Sequence, residues 1–80
     1  MKKEILFFSS PWCGPCRQMK SMLSESIISE LNIRIIDIAN DMEIATKYEV
    51  MNVPTFIKVV DGLEETRVIG ATTIDALRKL

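Results

Sequence analysis

The sequence has no histidine and only two cysteines. A structural zinc site takes four Cys or His ligands, so this chain holds at most half of one, and no metal is expected. Long apolar runs are also lacking. No stretch approaches the ~20 residues a membrane-spanning helix needs. Charge of one sign is missing too. Ten Lys and Arg stand against eleven Asp and Glu, a net charge of −1. That balance argues against an extended basic surface for nucleic acid, and no block of like charges marks a tail. There are no internal repeats, low-complexity tracts or linkers, so residues 1–80 read as one domain. The opening Met1-Lys2-Lys3-Glu4 followed by Ile5-Leu6-Phe7-Phe8 has the outline of a signal peptide. Its apolar run is too short for one and Glu4 interrupts the basic start, so residues 5–8 read as a buried strand.

What the chain does have is Trp12-Cys13-Gly14-Pro15-Cys16, which contains both cysteines. The motif lies between a short apolar run and a helical pattern. If the helix begins beside Cys13, both sulfurs lie near one face of its first turn. Such spacing suits a disulfide, whose Cα atoms lie about 4.4–6.8 Å apart. A helix start also offers unpaired N–H groups and partial positive charge, which favour a thiolate. Pro15 is tolerated there because first-turn N–H groups have no helical partner. Gly14 keeps bulk away from the sulfurs. A zinc half-site and a structural disulfide are the other readings of the pair. A disulfide closing so short a loop removes little chain entropy, which favours a reversible role. Trp12, beside a reactive thiol on a loop, reads as contact surface.

The rest of the chain alternates between strand and helix patterns. Cys16, Met19, Leu23, Ile27 and Leu31 recur every three or four residues, predicting one helix to Leu31 with Cys16 on its inner face and Cys13 at the exposed tip. Asn32 suits the helix end. Ile33 to Ile38 is a β-branched strand. Asn40 or Asp41 caps a helix over 42–49, with Glu43 in a capping box and Ile44, Ala45 and Tyr48 inward. Phe56 to Val60 and Leu63 to Ile69 form a hairpin about Asp61-Gly62, the second strand partly exposed. Thr72 or Thr73 caps a last helix to Leu80. The order β-α-β-α-β-β-α makes the first two strands parallel and the last two antiparallel. The fold class expected is α/β, a mixed four-stranded sheet with helices on both faces.

Trp12-Cys13-Gly14-Pro15-Cys16 resembles the active-site signature of thioredoxins, and the element order resembles the minimal thioredoxin fold over nearly the whole chain. The resemblance implies a redox-active Cys13–Cys16 disulfide, with Cys13 attacking a target disulfide and Cys16 resolving the mixed intermediate. Val53-Pro54 resembles the family's cis-proline loop, where the residue before proline pairs with substrate backbone. Gly70-Ala71 resembles the small-residue turn bordering that groove. Asp37, Lys47-Tyr48 and Asp61-Gly62 also look familiar and read as structural.

A cytoplasmic location is expected by default, since no stretch could span a membrane and a CxxC pair would cycle there rather than stay oxidised, and a monomer with no bound cofactor is expected. By the family resemblance it would act on disulfide-containing proteins and draw electrons from NADPH through a flavin-containing thioredoxin reductase. A glutathione-recycled glutaredoxin is the alternative. Its usual Cys-Pro-Tyr-Cys and Gly-Gly read here Cys-Gly-Pro-Cys and Gly70-Ala71. A non-catalytic subunit of a larger machine is another. Two departures stand out. The chain lacks the leading strand and helix of longer thioredoxins. Phe7 also occupies the place, six residues before the first cysteine, where many thioredoxins carry a buried acid that assists the resolving thiol.

Overall fold

Alternation along one strand divides the interior in two. In the computed structural model, which describes Met1–Leu80, β1 runs Lys3–Ser9. Successive strand side chains face opposite sides. Ile5 and Phe7 therefore enter one apolar cluster, and Leu6 and Phe8 another. All four residues are buried, as a continuous apolar run requires of a strand covered on both faces.

β1 lies inside a four-stranded sheet of order β2-β1-β3-β4. β2 (Ile33–Asp37) pairs with it in parallel, Ile5 opposite Ile33. β3 (Thr55–Val60) pairs antiparallel on the other side, Phe7 opposite Phe56. β4 (Leu63–Ile69) closes the hairpin as an exposed edge. Asp61 and Gly62 make its turn with φ of 52° and 83°. Positive φ at both positions gives the mirror-image turn whose twist matches the strands, and Gly accepts it without penalty.

Three helices cover the first face. They are α1 (Gly14–Met22), α2 (Glu25–Leu31) and, after β4, α4 (Ile74–Arg78). They contribute Cys16, Met19 and Leu77 to the first cluster, with Ile27, Ile28, Leu31 and Ile74 packed against it. α3 (Met42–Lys47) covers the second face, where Ile44, Ala45 and Tyr48 pack on the second cluster. The fold class is the α/β arrangement expected.

The single helix expected from the motif to Leu31 is two. Leu23, at φ −93° and ψ 89°, leaves the helical path. Ser24 is extended, and its hydroxyl accepts from the Ile27 N–H at 3.3 Å, starting α2. Serine competes with helical backbone bonds and favours this cap. α3 is likewise shorter than expected and has no capping box. Asp41 stands at its start without a side-chain bond. Upstream, the Asp37 carboxylate accepts from the Ala39 N–H at 2.9 Å and from Asn40 Nδ2 at 3.3 Å. The last helix stops at Arg78 rather than Leu80, capped at its start by Thr73.

Polar bonds tie the pieces together. Tyr48 donates its hydroxyl to the Gly62 carbonyl at 2.7 Å, and Arg67 donates to the Tyr48 carbonyl at 2.6 Å. Tyr48 thus links α3 to the hairpin. Arg78 grips the Glu30 carboxylate at 2.8 and 3.2 Å, joining α4 to α2. That hydrogen bond holds the Glu30 carboxyl below the usual carboxylate range. The pair is solvated, and such pairs contribute little.

The apolar contacts matter more. Phe7 and Phe56 are fully buried and stack with ring centroids 4.5 Å apart. Phe56→Ala is expected to cost about 3–5 kcal/mol, against about 1 kcal/mol for loss of the Ser24 cap in Ser24→Ala. Urea unfolding of both variants measures the contrast.

Candidate active site

The site grows from the end of β1. After Ser9 the chain reverses, and the Cys13 N–H donates to the Ser10 carbonyl at 3.3 Å. Arg17 braces the turn, donating to the Pro11 carbonyl at 3.2 Å. Cys13 then takes the position just before α1, with extended φ −94° and ψ 109°. Its Sγ accepts the Cys16 N–H at 3.1 Å. Pro15 occupies the first turn, where its missing N–H leaves no helical bond unmade.

Cys13 and Cys16 form a disulfide, their Cα atoms 5.1 Å apart. The two sulfurs differ in access. Cys16 is 0% exposed and Cys13 is 9% exposed. The order is the one expected, but Cys13 is less open than a helix tip suggests. It belongs to the same apolar cluster as Cys16, Met19 and Phe56. Trp12, by contrast, is 80% exposed. Gly14 is not demanded by packing, since a side chain there would meet no atom within 4 Å. The pair has no group of Cys, His, Asp or Glu around it that could complete a metal site.

The Val53-Pro54 peptide is cis. Pro54 is buried, and Val53 packs against the cluster that holds both cysteines. Thr55 braces this loop by donating its hydroxyl to the Asn52 carbonyl at 2.6 Å. The Gly70 N–H donates to the Pro54 carbonyl at 2.8 Å, which anchors the Gly70-Ala71 turn beside the loop. Gly70 has φ 97°, a left-handed value suited to glycine. Neither the N–H nor the carbonyl of Val53 is hydrogen-bonded within the protein. The structure therefore joins Val53, Pro54 and Gly70 through packing and a backbone bond. Ala71 and Trp12 face solvent.

Phe7 fills the place where an acid was sought. The chain's buried polar residues are Ser9, Ser10 and Thr55, none of them ionisable. No carboxylate is buried with Cys16. Sequence reasoning passed over two exposed apolar residues, Met51 in the loop before Pro54 and Ile69 before Gly70, at 86% and 60% exposure. Their signal was position alone, Ile69 adjoining Gly70 and Met51 standing two residues before Val53. Asp37, Lys47, Tyr48 and the Asp61-Gly62 turn lie in the framework described above rather than at the disulfide.

Known proteins resemble this chain in sequence and fold. The sequence model of the thioredoxin family matches residues 1–80. Thioredoxin of Bacillus subtilis (strain 168) is 36% identical over 76 residues, covering 91% of this chain and 73% of that protein. The TPR repeat-containing thioredoxin TDX of Arabidopsis thaliana is 35% identical over 69 residues, where the match covers 84% of this chain but 18% of that protein. The X-ray structure of Fasciola hepatica thioredoxin superposes with a TM-score of 0.82 at 32% identity, covering 98% of this chain and 76% of that one.

The difference in access between the sulfurs has a direct readout. In the reduced protein, limiting iodoacetamide near neutral pH is expected to label Cys13 roughly tenfold faster than Cys16, because thiolate reactivity follows exposure and nearby N–H donors. Peptide mapping by mass spectrometry checks this, and preferential labelling of Cys16 reverses the assignment.

Proposed function

The chain belongs to the thioredoxin family, and on that premise we propose that it reduces disulfide bonds in other proteins. The observation that carries this reading is the Cys13–Cys16 disulfide at the start of α1, beside a loop whose Val53 backbone is free. Family membership and the cysteine pair make the chain a thiol–disulfide oxidoreductase.

In the dithiol state the Cys13 thiolate attacks one sulfur of the target disulfide. That S–S bond breaks, a mixed disulfide forms, and the departing target sulfur takes a proton. Cys16 then loses its proton and attacks the Cys13 sulfur. The mixed disulfide breaks and the second target thiol leaves. Two electrons and two protons pass to the target, and the Cys13–Cys16 bond is restored. The Cys16 N–H aimed at Cys13 Sγ supports Cys13 as the attacking thiolate. Trp12, Gly14, Pro15, Val53, Pro54, Gly70 and Ala71 form the target groove. In it the free N–H and carbonyl of Val53 pair with an extended target segment, as at an unfilled sheet edge.

The electrons come from NADPH through a flavin-containing thioredoxin reductase. The protein works as a monomeric, single-domain carrier in the reducing cytoplasm, where a CxxC pair cycles rather than stays oxidised. No helix is long and apolar enough to cross a membrane. The sequence reasons against glutathione recycling, namely Cys-Gly-Pro-Cys and Gly70-Ala71, support the same choice.

Insulin reduction tests this. Turnover is expected with NADPH and thioredoxin reductase, and little with NADPH, glutathione and glutathione reductase. Cys13→Ser abolishes it, and Cys16→Ser retains target as a mixed disulfide. The reverse recycling preference makes the protein a glutaredoxin-type carrier, and full turnover by Cys13→Ser removes the mechanism.

Burial without a carboxylate sets the second expectation. Desolvation disfavours a thiolate, and Cys16 is enclosed with Phe7 in place of a base. Release of the mixed disulfide is expected to accelerate between pH 6 and 9, a range bracketing the reference thiol value of about 8.5. Single-turnover release across that range checks it; a fast, flat profile shows that no base is wanting.

A further inference from the structure

Every cleft of the protein but one is lined mainly by polar and charged side chains. The exception has a volume of about 440 Å³, and Ile38, Met42, Ala45, Val50 and Met51 form its walls. It lies between α3 and the loop that leads to Pro54, over the second face of the sheet, where Ile38, Ala45 and Val50 pack. Met42 and Met51 are 70% and 86% exposed. One exposed apolar side chain is ordinary, but two that share an apolar cleft form a patch, and such patches mark interaction sites.

The cleft adjoins the loop beside the disulfide. Met51 stands two residues before Val53, so their Cα atoms are at most about 7 Å apart. Val53 packs against both clusters, the one that holds Cys13 and Cys16 and the one under the cleft. The backbone between α3 and Met51 is fixed. Glu49, at φ 52°, donates its N–H to the Thr46 carbonyl at 3.1 Å, and the Val50 N–H donates to the Ala45 carbonyl at 2.9 Å. This left-handed cap ends α3 and turns the chain toward Met51. Glu49 is the one charged residue in the lining, and it takes part in no ion pair. Arg67 feels its charge but is bound to Glu64.

We propose that this cleft is a subsite of the target groove, which takes a bulky aliphatic or aromatic side chain two residues from the cysteine under attack. The inference rests on the disulfide reduction proposed above. A target segment extended along the Val53 backbone has alternate side chains about 6.4–6.8 Å apart. That matches the reach from Val53 to Met51, so the second residue from the target cysteine lies over the cleft. Methionine suits such a site, because a flexible, polarisable thioether adapts to side chains of different shape. The cleft therefore selects apolar bulk rather than one shape, and Glu49 disfavours an acidic residue.

The test is single-turnover reduction of short peptides by the prereduced full chain. Each peptide is a disulfide-linked homodimer, so either sulfur attacked has the same neighbours. The series carries Leu, Phe, Ser or Asp two residues before or two residues after the cysteine. On one of the two sides, Leu and Phe are expected to react about tenfold faster than Ser, and Asp more slowly than Ser. The double variant Met42→Gln, Met51→Gln is expected to erase the advantage of Leu over Ser. Met22→Gln, which changes an exposed methionine of α1 outside the cleft, is expected to keep it. Equal rates for Leu, Ser and Asp on both sides, or an advantage that survives the double variant, overturns the subsite. So does a wild-type dimer in sedimentation equilibrium that the double variant dissociates, since a second copy then fills the cleft. A chain that reduces none of the peptides overturns disulfide reduction itself, a separable result.

Discussion

Burial of β1 on both faces is the constraint on which everything else rests. Ile5 and Phe7 hold one core, Leu6 and Phe8 the other, and the same strand delivers the chain to the cysteine motif. Its two neighbours arrive from very different distances. β2 follows after α1 and α2, whereas β3 pairs Phe7 with Phe56, far along the chain. Closing that second ladder carries the loop-entropy cost of a non-local contact, so the sheet is complete only when most of the sequence is in place. Site and scaffold therefore form together. The Val53-Pro54 loop, packed against the cluster that holds the disulfide, is the immediate lead-in to β3.

The chemistry depends on local geometry set by that scaffold. One turn, closed from Cys13 to Ser10, places the first sulfur at the opening of α1 and the second inside the core. Reactivity is then divided by solvent access and by one backbone N–H, without any buried ionisable group. Low dielectric penalises charge on the inner sulfur more than on the outer one. The order of attack and resolution in the proposed mechanism follows from that asymmetry.

Much of this was legible in the residues. Continuous apolarity in Ile5–Phe8, β-branching in Ile33–Ile36 and the Asp61-Gly62 turn each act locally, and each appears where expected. The break between α1 and α2 was not legible. Met19, Leu23 and Ile27 keep a four-residue interval because both pieces bury the same face, and only the Ser24 cap interrupts the backbone. The capping box at Glu43 failed for the converse reason, since Asp37 upstream organises the turn. The partial burial of Cys13 depends on what neighbouring elements place over it. Periodicity carries no such information.

Trp12 carries one more consequence. It is the chain's single tryptophan, it stands in solvent, and it is bonded directly to Cys13. The indole emission of this protein therefore senses little of either core. The nearest redox group along the chain is the Cys13 sulfur, one residue away. A change in that emission would therefore report on the mouth of the cysteine motif rather than on the packing of the sheet.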